Sequence, residues 1–156
     1  MMGKKYKGFS LIEILVVVAL IVILATITIV AINPAKNFRD TRNAQRSADI
    51  MQILNAVTQY TSEQGHTLGE LGEIDVCPEV TKLGTGAGQL NLGDDPDATP
   101  AIDRPLVDEY IVAIPEDPNA SKGAVYTICQ TDSGRIEVSA EAEISATETE
   151  IITVKR

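Results

Sequence analysis

Gly8-Phe9-Ser10-Leu11-Ile12-Glu13-Ile14-Leu15-Val16 opens a run of 24 residues, Phe9 to Ile32, in which Glu13 is the only charged side chain. A run of that length spans a bilayer with some tilt. Ahead of it stands a short basic leader carrying Lys4, Lys5 and Lys7 and ending in Gly8. A carboxylate inside hydrocarbon costs about 2.5–3.5 kcal/mol on translocon scales, so Glu13 is a candidate functional residue that needs a partner. A secretory signal peptide does not fit, because its apolar core is roughly 7–15 residues followed by a small-residue cleavage site. Here Asn33-Pro34-Ala35-Lys36 follows instead. No cysteine stands near the leader, which removes lipoprotein processing.

The order of basic leader, Gly8, then Phe9-Ser-Leu-Ile-Glu13 resembles the class III signal of type IV prepilins and pseudopilins. The resemblance implies cleavage between Gly8 and Phe9 by a prepilin peptidase and N-methylation of the new Phe9 amine. It also implies that Glu13 drives assembly by meeting the Phe9 amine of a neighbouring subunit. The physical chemistry agrees with this role. An α-amine is charged at neutral pH, and a carboxylate four residues on lies in the first helical turn, where the dipole favours it. The plainer alternative is a signal anchor with an isolated Glu. Orientation rests on the resemblance, which puts the leader in the cytoplasm, because both flanks of the span are basic.

The formal charge of −9 becomes −12 once the three leader lysines are removed. Residues 63–156 hold 19 Asp and Glu against six Lys and Arg, a net of −13. Nucleic-acid binding runs on Lys and Arg neutralising phosphates, so direct capture of nucleic acid is not expected. The excess acid reads as a solubilising surface.

Basic residues gather just past the span: Lys36, Arg39, Arg42 and Arg46, with Asp40 between them. Arg39, Arg42 and Arg46 share one helix face. The same stripe then turns apolar through Ile50, Ile53, Leu54 and Val57 to Tyr60 or Thr61, the pattern of an amphipathic helix that covers a sheet. The arginines suit acidic groups of a neighbouring subunit or lipid phosphates; a solvated or intrachain-paired helix face is the competing reading. Residues 9 to about 62 thus read as one long helix of ~80 Å, disturbed near residues 30–34 by Pro34 and stopped before Gly65.

Residues 65–156 read as a small head with an aliphatic core, since the chain has no Trp and only two Phe and four Tyr. Strands are expected over Ala124–Thr131, Arg135–Glu141 and Glu150–Lys155, the first two joined by an Asp132-Ser133-Gly134 turn. Residues 108–114 read as a short helix or strand. Pro115-Glu116-Asp117-Pro118 resembles a segment that precedes the sheet in many pilins, and a proline-fixed turn with Asp117 capping its own backbone accounts for it.

Cys77 and Cys129 are the only cysteines. With the head outside the cytoplasm they are expected to form a disulfide. Zinc is not expected, because His66 is the only histidine and no C-x-x-C occurs. The glycine run Gly84–Gly88 lacks the Lys-Ser/Thr of a phosphate loop. Asp94, Asp95 and Asp97 offer oxygen ligands for Ca²⁺, as in major pseudopilins of type II secretion, although acids in a loop ordinarily just face water. No nucleophile–base pair or cleft signature points to an enzyme.

The expected architecture is α+β and type IV pilin-like. It comprises leader 1–8, filament-core or membrane helix 9–32, amphipathic half-helix 33–64 and a head, 65–156, built on a small antiparallel sheet. The resemblance implies a single-pass precursor in the cytoplasmic membrane, a pilus assembly platform as partner, and a homo-oligomeric helical filament at the cell surface. A pseudopilin of a secretion or competence machine, a minor tip adhesin and a monomeric signal-anchored binding domain share parts of this pattern.

Overall fold

A computed structural model describes residues 8–63, 65–84, 88–93, 106–119, 126–145 and 147–156. The residues up to Phe38 and Arg39–Arg156 form two compact units. In the first, helix α1 covers Leu11–Ile32 with every side chain exposed. It is long and apolar enough to cross a membrane, with a mean hydropathy of 3.3. Thr26 and Thr28 donate their hydroxyls to the carbonyls of Val22 and Leu24, 2.8 Å in both cases, so neither leaves a bare polar group on the helix surface.

The disturbance expected near Pro34 is a complete break of one residue. Asn33 takes the left-handed conformation (φ 47°, ψ 73°) and helix α2, Pro34–Ser62, starts directly after it. Asn is among the few residues that enter this region readily. Proline suits a first helical position because its missing N–H would have had no partner there. The Asn33 carbonyl then accepts the N–H groups of Lys36 and Asn37 at 3.1 and 3.3 Å, starting the second helix. The single helix expected over residues 9–62 is therefore two.

In the second unit the apolar stripe of α2 forms one side of the core. Ile50, Ile53, Leu54, Val57 and Tyr60 are buried against Ile128, Val138 and Ala140 of the sheet and against Leu71, Leu92 and Leu106. The sheet is antiparallel with strand order β1 (Thr81–Lys82), β2 (Thr127–Gln130), β3 (Ile136–Glu143), β4 (Thr149–Lys155). Ile128 stands opposite Val138, which stands opposite Val154, so the middle of one face is aliphatic, as the period of two requires. β2 and β3 are joined at Asp132-Ser133-Gly134, where Gly134 (φ 80°) supplies the left-handed residue of the turn. The expected helix or strand over 108–114 is a single turn, α3, at Leu106–Glu109. β1 has no counterpart among the expectations, since two residues carry too little pattern to read.

Cys77 and Cys129 form the disulfide, with a Cα–Cα distance of 5.4 Å. A loop closed over 52 residues stabilises the head by about 4 kcal/mol on the chain-entropy model. The leader lysines and Asp94, Asp95 and Asp97 lie outside the described residues.

Candidate functional site

The start of α1 is built by its own sequence. Phe9 is 81% exposed, and Ser10, in the extended conformation, is the N-cap. Its carbonyl accepts the N–H groups of Glu13 and Ile14 at 3.0 and 3.2 Å. Glu13 reaches back, its Oε2 accepting the Ser10 backbone N–H at 3.3 Å. Ser10-Leu-Ile-Glu13 is thus a capping box, with Glu at the third helical position closing on the cap residue. The spacing S-x-x-E carries that signal in the sequence, beside the charge that makes Glu13 conspicuous. Glu13 consequently has a partner within its own chain, and its carboxylate keeps acceptor capacity for a further donor. The Gly8–Phe9 bond sits in the exposed, non-helical segment just before the cap.

Of the readings open for the arginine face, pairing within the chain is the one the structure shows for Arg42 and Arg46. Arg46 is only 1% exposed and is held by four hydrogen bonds. Its Nε and Nη2 donate to the two oxygens of Asp117 at 2.6 and 2.9 Å, a bidentate fork. Nη2 also donates to Glu143 Oε1 at 2.9 Å, and Nη1 to Asn43 Oδ1 at 3.0 Å. Arg42 pairs with both oxygens of Glu143, its Nε at 3.2 Å from Oε1 and its Nη2 on Oε2. The cause is the shape of the stripe: Arg46 stands one turn before Ile50 on the face that covers the sheet, so it is buried with that face. Burial of a guanidinium demands carboxylates, and β3 and the Pro115–Pro118 segment supply them. Arg39 makes no ion pair among the described residues, and its buried Nε has no hydrogen-bond partner there.

Two further contacts bind α2 to the sheet, through residues that carry no distinctive pattern in the sequence. The Asn43 side chain pairs with the backbone of Glu143 in both directions, accepting its N–H and donating to its carbonyl at 2.8 Å each. It satisfies the last residue of β3 much as another strand would. Tyr126 donates its hydroxyl to Asp49 Oδ2 at 2.6 Å, and burial, with that carboxylate adjacent, raises the Tyr126 phenol. Asp117 does cap its own backbone, accepting the Asn119 N–H at 2.7 Å, and the same carboxylate holds Arg46.

The Arg42 guanidinium, helped by Arg46 and Asn119 and opposed by burial, holds Glu143 well below the usual carboxylate range. A carboxylate with a depressed folded pKa stabilises fully above its unfolded value and loses that contribution as pH falls through the folded one. The urea midpoint of the head is expected to stay level from pH 7 to 5 and to fall below about pH 4.5, the ordinary value for this group. Glu143→Gln should flatten that acid limb, and an equally steep limb in the variant would refute the assignment.

No curated protein and no solved structure matches the chain. Residues 3–29 match the family model of the prokaryotic N-terminal methylation motif, so this chain carries the class III signal of type IV pilins at its amino-terminal end, ahead of an α+β, pilin-like arrangement.

Proposed function

We propose that the protein is a structural subunit of a type IV pilus-like filament, processed by prepilin peptidase between Gly8 and Phe9 and polymerised through α1. The observation that carries this reading is α1 itself, 22 residues with no buried side chain, a mean hydropathy of 3.3 and an acid in the first turn. A helix apolar on all sides must be covered by lipid or by other apolar helices. Lipid serves the precursor as a single-pass anchor with the head outside the cytoplasm, and copies of α1 serve the polymer, which a pilus assembly platform builds into a cell-surface filament. In that polymer Glu13 meets the Phe9 amine of a neighbour. Arg39 is the arginine left to meet a neighbour's acid, because Arg42 and Arg46 are engaged within the head.

Intact mass and N-terminal sequencing of protein from the membrane and from sheared surface material test the proposal. N-methylated Phe9 in the sheared fraction is the expected result. Processed protein confined to the membrane would favour a pseudopilin, and an unprocessed chain in both fractions would leave a signal-anchored protein. Gly8→Val provides the matching variant. A Cβ at position 8 meets nothing within 4 Å in the chain itself, so the demand for glycine comes from the peptidase. The variant should fold and insert normally yet retain its leader. A Gly8→Val chain recovered with Phe9 as its first residue would refute the demand for glycine at this site.

A further inference from the structure

β4 is the outermost strand of the sheet, and among the described residues nothing pairs with its far side. Arg156 exchanges both backbone hydrogen bonds with Ile136, 3.0 Å each way. Alternation along an antiparallel ladder then turns the backbone groups of Ile152, Val154 and Arg156 toward β3 and those of Thr149, Ile151, Thr153 and Lys155 outward. Free edges are normally short, bulged, or broken by proline or inward charge. This one runs seven residues, Thr149-Glu-Ile-Ile-Thr-Val-Lys155, with β-branched residues at five of them and no proline. Ile151 is 69% exposed on it.

The charges along this edge indicate what covers it. Glu148 and Glu150 lie at one end and Lys155 and Arg156 at the other, all exposed. An antiparallel copy centred on Ile152 sets Thr149 opposite Lys155 and Ile151 opposite Thr153, which are the residues whose backbone groups point outward. The same register sets Glu148 directly opposite Arg156, with Glu150 on the diagonal. The strand is therefore complementary to itself in backbone and in charge. We infer that two copies of this chain pair through their β4 edges, antiparallel about Ile152, joining their sheets into one of eight strands. The contact is isologous and closes at two copies, unlike the head-to-tail contacts of a helical polymer. It stands whether or not α1 polymerises.

The test uses full-length protein in detergent micelles, with Ile151→Cys and Thr153→Cys chains mixed in equal amounts and mildly oxidised. The native cysteines are already bonded to each other. Only the mixture places two new thiols directly opposite, so it should give several-fold more crosslinked dimer than either variant alone. Equal yields, as association through α1 alone would produce, overturn the inference. Adding Thr149→Pro removes an outward N–H and leaves the ladder to β3 intact, and should abolish the excess. Arg156→Glu, which sets like charges against Glu148 on both sides, should lower the yield roughly fivefold. An unchanged yield in both variants likewise overturns it.

Discussion

Arg46→Ala is expected to be the most damaging single substitution in the head. It removes the cation that the two oxygens of Asp117 and one oxygen of Glu143 share, while Asp117 and Glu143, with side chains 5% and 6% exposed, stay inside. Removing one partner of a buried ion pair costs about 3–5 kcal/mol because the other charge is left uncompensated. Domains of this size have roughly 5–15 kcal/mol in total, so a large share is lost. Arg42→Ala should cost clearly less, since Arg42 is 29% exposed and water can take over part of its role. Urea denaturation of the full chain in detergent, followed by circular dichroism, measures both. Equal losses would mean that burial of the guanidinium is not what matters. Arg46→Lys separates charge from geometry, because an ammonium cannot make the bidentate fork, and it should recover only part of the loss.

The second large effect is expected at Glu13, and it requires two variants, because the carboxylate has two jobs. Within the chain it accepts the Ser10 N–H; in the proposed polymer it also meets a neighbour's amine. Glu13→Gln keeps the first, since Gln closes a capping box as Glu does, and deletes the charge. Glu13→Ala deletes both. An α-amine left unpaired in an apolar filament core costs about 3–5 kcal/mol, more than a hundredfold in subunit affinity. Both variants should be cleaved normally and should be nearly absent from sheared filaments. Normal incorporation of Glu13→Gln with loss of Glu13→Ala would assign the residue to capping alone. Normal incorporation of both would remove Glu13 from assembly.

The two halves of the molecule differ in how they can be read. For α1 the sequence suffices: an unbroken apolar run needs no tertiary partner to be recognised, and Ser10-x-x-Glu13 acts over a single turn. The stripe Ile50, Ile53, Leu54, Val57, Tyr60 is equally legible, because helical spacing alone decides which residues share a face, and all five are buried. The β2–β3 hairpin follows from alternation and a three-residue turn. β1 does not, since its two residues are ordered by pairing with Lys82 opposite Thr127 and Thr81 opposite Ile128, not by any propensity of their own.

Arg46 shows where local reading stops. Its position on the apolar stripe signals burial, but the carboxylates that make burial tolerable lie 71 and 97 residues further along the chain. No spacing rule connects them, and the same three arginines on an open helix would be a surface for another molecule. The processing signal, the membrane-length helix and the apolar face of α2 are all written in the linear order of residues, because each depends on neighbours within a few turns. The folded chain alone consumes Arg42 and Arg46 inside the head, closes the end of β3 with Asn43 and, among the described residues, leaves the far side of β4 unpaired. Those outcomes depend on which distant backbone and side-chain groups the fold brings within hydrogen-bonding reach.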